Sequence, residues 1–309
     1  MAKSVAFVTL GCKLNYAETS SYSRKAVDSG YQVVAHTKPA DIYIINTCSV
    51  TEHADKKCRN IIRRLHKQNP DARIVVTGCY AQLKPDEIAA LDGVYAVIGA
   101  ERKKDTFEIA VESISEKGNL VTPYKEIRSY YDAYSTGERT RSFLKIQDGC
   151  NYFCTYCTVP LARGVSRNAP IAEIVSQAKE IASTGVKEIV LTGVNIGDFG
   201  RSTGESFADL LKELADIEGI ERYRISSIEP NLLTDQIIDW IAGCEKFLPH
   251  FHIPLQSGCD RILEAMHRRY TTSFFEDKIN YIRSKMGDVF FGIDVIVGFP
   301  GESDEDFEV

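Results

Sequence analysis

Two successive α/β halves, an open parallel sheet and then a partial β/α barrel, are the fold class this sequence predicts. Short β-branched runs alternate with amphipathic stretches through the first 120 residues. The alternation pauses in a polar, tyrosine-rich stretch, and a second round begins at Phe143. The chain of 309 residues is long enough for two cores. Domains are therefore expected at 1–120 and 142–309, joined by a linker at 121–141.

In the first half, Ser4–Leu10, Ile42–Asn46, Ile74–Thr77 and Val94–Ile98 read as strands. Ala17–Ser29, Ala54–Gln68, Asp86–Leu91 and Lys104–Ser115 between them have helical spacing. In the second half the expected strands are Phe143–Gln147, Glu188–Thr192, Tyr223–Ser227, Phe251–Leu255 and Phe290–Val297. The expected helices are Ile171–Ser183, Phe207–Ile217, Asp235–Ala242, Arg261–Met266 and Phe274–Ser284. Five strands with intervening helices suit a β/α barrel cut before its last unit, with ligands at the carboxyl ends of its strands. Ser303 with Asp306 reads as a helix N-cap with an acidic first turn. The chain stops inside that helix, as expected of a longer protein cut short.

Composition excludes several classes. Hydrophobic content of 44% and charged content of 26% are ordinary for a globular protein. No apolar stretch approaches the ~20 residues that span a bilayer, and no cleavable leader follows Met1. A cytoplasmic location without membrane attachment is expected, where cysteines bind metals or catalyse more often than they pair. The net charge of −6 gives no global attraction to nucleic acid, so RNA binding would have to be local.

Nine cysteines carry the chemistry. Cys150, Cys154 and Cys157 lie in one loop just past the first barrel strand, with Tyr156 before the last. Three thiolates are one short of the usual complement of a cubane iron–sulfur cluster, leaving one iron open to a substrate. A zinc knuckle prefers four ligands and finds no nearby histidine, and a disulfide framework suits neither the odd count nor the length. Cys12, Cys48 and Cys79 each follow an apolar strand, two of them beside glycine. Loops after parallel strands gather on one edge of the sheet, so these thiols can share a metal site. Cys58, Cys244 and Cys259 read as small buried hydrophobes. His250 and His252 share a strand face but lack a third ligand, so packing is expected there.

Leu-Gly-Cys12-Lys-Leu-Asn15, Asn-Thr-Cys48-Ser-Val-Thr, Thr-Gly-Cys79 and Gly-Cys150-Asn-Tyr-Phe-Cys154-Thr-Tyr-Cys157 together resemble the methylthiotransferases among the radical S-adenosylmethionine (SAM) enzymes. The resemblance covers essentially the whole chain and implies two 4Fe-4S clusters. Cys150, Cys154 and Cys157 would hold the one that cleaves SAM to a 5′-deoxyadenosyl radical, and Cys12, Cys48 and Cys79 an auxiliary one that delivers sulfur. It also implies an electron donor such as a flavodoxin or ferredoxin, and a small C-terminal RNA-binding barrel that this sequence lacks. The segments around Cys12 and Cys48–Cys58 are most similar to the branch acting on N6-threonylcarbamoyladenosine beside the tRNA anticodon. The isopentenyladenosine branch is the alternative. The branch acting on a ribosomal-protein aspartate usually has Pro where this chain has Lys13.

Segments at the barrel mouth are expected to meet SAM: Tyr156; Thr192, Gly193 and Asn195; Ser227 and Glu229; Gln256; and Val295 with Ile296 against the adenine. Strand ends also carry Gly, Ser and Asn merely to turn. For the tRNA anticodon loop, Lys56, Arg59, Arg63 and Lys67 form an outward basic face that a solvated helix explains equally well. Arg163, Arg268 and Arg269 are further candidates. Tyr130, Tyr131 and Tyr134 suit base stacking or domain pinning alike.

Overall fold

A computed structural model describes residues 3–49, 51–112, 117–137 and 140–309. The chain divides into two compact units: residues 1–135 with 158–165, and residues 136–157 with 166–309.

The first unit is a six-stranded, all-parallel sheet in the order β2-β1-β3-β4-β5-β6. Its elements run β1 (Ser4–Thr9), α1 (Lys13–Asp28), β2 (Gln32–Val34), β3 (Ile42–Thr47), α2 (Glu52–Gln68), β4 (Arg73–Gly78), α3 (Cys79–Leu83), α4 (Pro85–Ala89), β5 (Val94–Ile98), α5 (Thr106–Val111) and β6 (Gly118–Leu120). All six residues of β3 are buried, which is why residues 42–45 are an apolar run without alternation. Helix α2 starts where the Thr51 hydroxyl accepts a hydrogen bond from the Ala54 amide, and buries Cys58, Ile62 and Leu65. The three-residue edge strands β2 and β6 are too short to show a period. The helix expected over Lys104–Ser115 is a 3₁₀ turn plus the six residues of α5, and positions 113–115 lie outside the described residues.

The expected linker needs correction. Residues 121–135 belong to the first unit, where Ile127, Tyr131 and Ala133 are buried. The Tyr131 ring stacks on Tyr22 with centroids 5.4 Å apart, and the Arg24 guanidinium lies 3.8 Å from the Tyr134 ring centre. These two tyrosines are spent on packing within the unit and are not presented for base stacking. The unit also includes α6 (Val159–Arg163), which comes after the second cysteine loop in sequence.

The second unit contains β7 (Arg141–Lys145), α7 (Ile171–Ser183), β8 (Glu188–Thr192), α8 (Phe207–Ala215), β9 (Arg222–Ile225), α9 (Asp235–Ala242), β10 (His250–His252), α10 (Asp260–Ala265), α11 (Thr272–Lys285), β11 (Phe290–Gly292) and α12 (Asp304–Glu308). Strands β7, β8 and β9 pair in parallel, as do β10 and β11, and a parallel bridge from Ser227 to His252 joins the two groups. Helix α7 buries Ile174, Gln177, Ala178 and Ile181, the stripe expected of a helix lying on a sheet. The Ser303–Asp306 capping box forms as expected. Strand β11 is shorter than the sequence predicts, because beyond Gly292 only the Gln256–Val295 bridge continues the ladder. His250 stacks on Phe290, and His252 Nε2 lies 2.9 Å from Asp294, so the two histidines serve packing and pairing. Among the described residues no helix is long and apolar enough to cross a membrane.

Candidate functional site

In the first unit, the sheet order reverses between β1 and β3, the place where doubly wound sheets bind ligands at their carboxyl edge. Cys12 ends the loop after β1 as the residue before α1, Cys48 follows β3 directly, and Cys79 opens α3 directly after β4. Thr47 and Gly78 are paired across the β3–β4 ladder, so Cys48 and Cys79 leave adjacent strands in step. Gly11, at φ +95°, faces Cys48: a Cβ added there would lie 2.6 Å from the Cys48 Cβ and 2.7 Å from its Sγ. Only glycine allows that approach.

Polar side chains fix these loops. Asn15 Nδ2 donates to the carbonyls of Leu10 (2.8 Å) and Thr47 (2.9 Å), tying the Cys12 loop to the end of β3. The Thr47 hydroxyl donates to Thr77 O (2.6 Å) and accepts from the Ala81 amide (3.3 Å), tying β3 to β4 and α3. Beneath them lies a buried charge cluster. Glu18 pairs with Lys103 at 2.6 Å and with Arg163 at 3.2 Å, and Arg163 also donates to Asn15 Oδ1 at 2.6 Å. Arg163 is therefore withdrawn from the RNA candidates, because its guanidinium is buried among partners. Cys58 is fully buried; desolvation pushes its thiol up to about 11, keeping it a neutral core side chain.

In the second unit, the cysteine loop hangs from β7. The buried pair of Lys145 with Asp148 (2.7 Å), supported by Arg167, anchors its root. Gln147, which no sequence motif singles out, donates to Asp148 O, Gly149 O and Ser166 Oγ. Its Oε1 accepts from the Val194 and Asn195 amides, both at 2.9 Å, so one side chain joins the cysteine loop to the turn after β8. Gly193 must be glycine for this, since a Cβ there would lie 2.9 Å from that same oxygen. The signal that could have marked Gln147 is a polar residue at the end of a buried strand, three positions before Cys150.

The Tyr152 amide donates to Cys150 Sγ at 3.4 Å, and the Cys157 amide to Cys154 O at 2.9 Å. Burial pushes the Cys150 thiol up to about 12, with Asp198, Cys154 and Cys157 adding to the shift. A thiol so placed stays protonated until a metal takes the proton's place. Arg268 donates to Cys154 Sγ (3.2 Å) and Tyr156 Oη (3.3 Å), and pairs with Glu229. This guanidinium is turned inward, so Arg268 also leaves the RNA set. Arg269 remains exposed, 3.9 Å from the Tyr152 ring centre. On α2, Lys56, Arg63 and Lys67 are exposed, whereas Arg59 is engaged by Tyr80 and Glu87.

The residues expected to meet SAM divide into groups. Thr192 and Asn195 are buried at the end of β8, and neither side-chain polar atom of Asn195 has a hydrogen-bond partner among the described residues. The same holds for Ser226 Oγ and for one oxygen each of Asp198 and Asn231. Buried polar atoms of this kind ordinarily have partners, and together they fit a cofactor rich in amino, carboxylate and hydroxyl groups. Ser227 uses its backbone to bridge β10, and its neighbour Ser226 carries the unpartnered hydroxyl. Glu229 pairs with Arg268. Gln256 adopts φ +70° and bridges Val295, whose side chain is 56% exposed. The Ile296 amide donates to Gln256 O. Among the described residues no three His, Cys, Asp or Glu side chains are arranged to hold a single metal ion.

Residues 4–99 match the model of an uncharacterized protein family, UPF0004, and residues 144–309 match that of the radical SAM superfamily. A threonylcarbamoyladenosine tRNA methylthiotransferase of Bacillus subtilis is 42% identical over 98% of this chain and 69% of its own. A tRNA-2-methylthio-N(6)-dimethylallyladenosine synthase of Alkaliphilus oremlandii is 34% identical over 99% and 67%. In fold, the chain is similar to a radical S-adenosylmethionine methyltransferase, TsrM, from Kitasatospora setae, solved with cobalamin and a 4Fe-4S cluster. The TM-score is 0.70 at 15% identity, over 99% of this chain and 71% of that one.

Proposed function

The chain belongs to the radical SAM methylthiotransferase family, and on that premise we propose that it adds a methylthio group to C2 of N6-threonylcarbamoyladenosine beside the tRNA anticodon. The observation that supports the reading is a second cysteine set, Cys12, Cys48 and Cys79, which follow the adjacent strands β1, β3 and β4 of the parallel sheet, in a chain that also holds the superfamily's three-cysteine loop. Methylthiolation needs a radical source and a sulfur carrier, and two cysteine triads supply a seat for each.

Cys150, Cys154 and Cys157 would hold the cluster that, with SAM, supplies the radical chemistry needed at an unreactive C–H bond. The chain's own residues do the positioning. Gln147 holds the Cys150 loop against the turn that carries Asn195. Asn195 and Ser226 offer buried polar atoms to SAM. Arg268 places a positive charge and an N–H donor on Cys154 Sγ, which favours added negative charge at that centre. In the first unit, Asn15 and Thr47 hold the three strand-end loops in place, and Gly11 lets the Cys12 loop approach Cys48, where Cys12, Cys48 and Cys79 would hold an auxiliary cluster. A flavodoxin or ferredoxin would supply the electron.

Nucleoside analysis tests this reading. The chain is expressed in a strain lacking its own threonylcarbamoyladenosine methylthiotransferase, and its tRNA is digested. Restored methylthio-threonylcarbamoyladenosine is expected. A methylthio group on isopentenyladenosine instead would move the chain to the branch of the Alkaliphilus oremlandii relative, and neither product would end the tRNA reading.

A further inference from the structure

A cavity of about 670 Å³ in the first unit lies where α2 leaves part of β1 uncovered. Phe7, Val8, Leu10 and Ile61 contribute its apolar side. Its ionisable lining is wholly basic or imidazole: His36, His53, Lys56, Lys57 and Arg64. Three of these, Lys56, Lys57 and Arg64, are exposed and make no ion pair among the described residues. Several other cations of the unit are matched: Lys25 has Glu108, Lys84 has Asp55, and Arg59, on the same helix, has Glu87. In a chain with 43 acidic and 37 basic residues, a pocket with three unmatched cations and no carboxylate is a local departure from the global field.

We propose that this groove is a subsite for a nucleotide of single-stranded RNA adjoining the modified base, a proposal that rests on the tRNA reading above. Lys56, Lys57 and Arg64 engage the phosphodiester backbone, and the half-buried Phe7 gives the base an aromatic surface. The volume falls within the ~300–1,000 Å³ usual for small-ligand sites, enough for one nucleotide and too little for a helix of protein or RNA. Its lining ends at Leu10, two positions before Cys12, so a strand seated there passes close to the auxiliary cysteines. The RNA-facing set on α2 thus shifts from the face first expected to the side that borders β1: Lys56 stays, and Lys57 and Arg64 join it.

Fluorescence anisotropy with a labelled single-stranded RNA of anticodon-loop sequence tests the subsite on the whole chain. The triple variant K56Q/K57Q/R64Q is expected to weaken binding about tenfold at moderate salt and to reduce the slope of log K against log salt by about 2. Phe7→Leu is expected to weaken it about fivefold with the slope unchanged. A charge-matched control, K3Q/K104Q/K117Q, alters exposed lysines of the same unit outside the cavity and is expected to change binding less than about twofold. Equal losses in the pocket and control variants, or none in the pocket variant, overturn the subsite while leaving the tRNA reading intact. Failure of the unaltered chain to bind overturns the subsite, and the nucleoside analysis above decides the tRNA reading separately. Displacement of the strand by polyglutamate at matched charge but not by AMP assigns the groove to an acidic protein, and likewise overturns the proposal.

Discussion

Glu18 has no access to water and answers two cations at once. Removing its charge would leave Lys103 and Arg163 buried and incompletely paired, which typically costs about 3–5 kcal/mol. Glu18→Gln should therefore lower chemical-denaturation stability by about 3 kcal/mol. Glu108→Gln, which breaks the solvent-screened pair with Lys25, should cost under about 1 kcal/mol. Equal losses would show that the buried cluster contributes no more than a surface pair. Asp198 gives a test by pH. Burial raises its carboxyl above the ordinary 3.8 despite the opposing Arg201, so the native state holds that proton more tightly than the unfolded chain does. Its contribution to stability is present below the unfolded value and is lost as pH rises through the higher native value. Asp198→Asn should flatten this decline in urea denaturation measured across the acidic range, and an unchanged pH profile would contradict the assignment.

Among elements, the turn after β8 depends most on a single side chain. Gln147→Ala would leave the Val194 and Asn195 amides without their acceptor, a loss of about 2 kcal/mol or more. It would also free the Cys150 loop from the residues proposed to meet SAM. Calorimetric titration should show SAM affinity falling about tenfold in the reconstituted variant, and an unchanged affinity would mean that the tie is structural only. The long elements were legible in the sequence for plain reasons. The cores of β3 (residues 42–45) and β4 (residues 74–76) are apolar runs because both faces are covered, and α7 and α9 carry helical stripes. Strands β2 and β6 have three residues each, and α3 begins with no loop after β4, so neither a period nor a turn signal marks them.

At the scale of the molecule, the cysteine positions were readable because strand ends are readable, and parallel strands bring their ends to one edge. The destinations of the arginines were not. Arg163 is buried because residues 158–165 join the first unit, and Arg268 turns inward while Arg269 stays outside. A local basic pattern is the same for an exposed cation and for one committed to a buried carboxylate, and only packing separates them.

The central claim is that this one chain seats two separate iron–sulfur clusters on two cysteine triads. Iron and acid-labile sulfide content after anaerobic reconstitution tests it most directly. The unaltered chain should bind about eight irons, and Cys12→Ala and Cys154→Ala should each retain about four with different spectra. Zinc without sulfide, or a Cys12→Ala protein with undiminished iron, would contradict the claim.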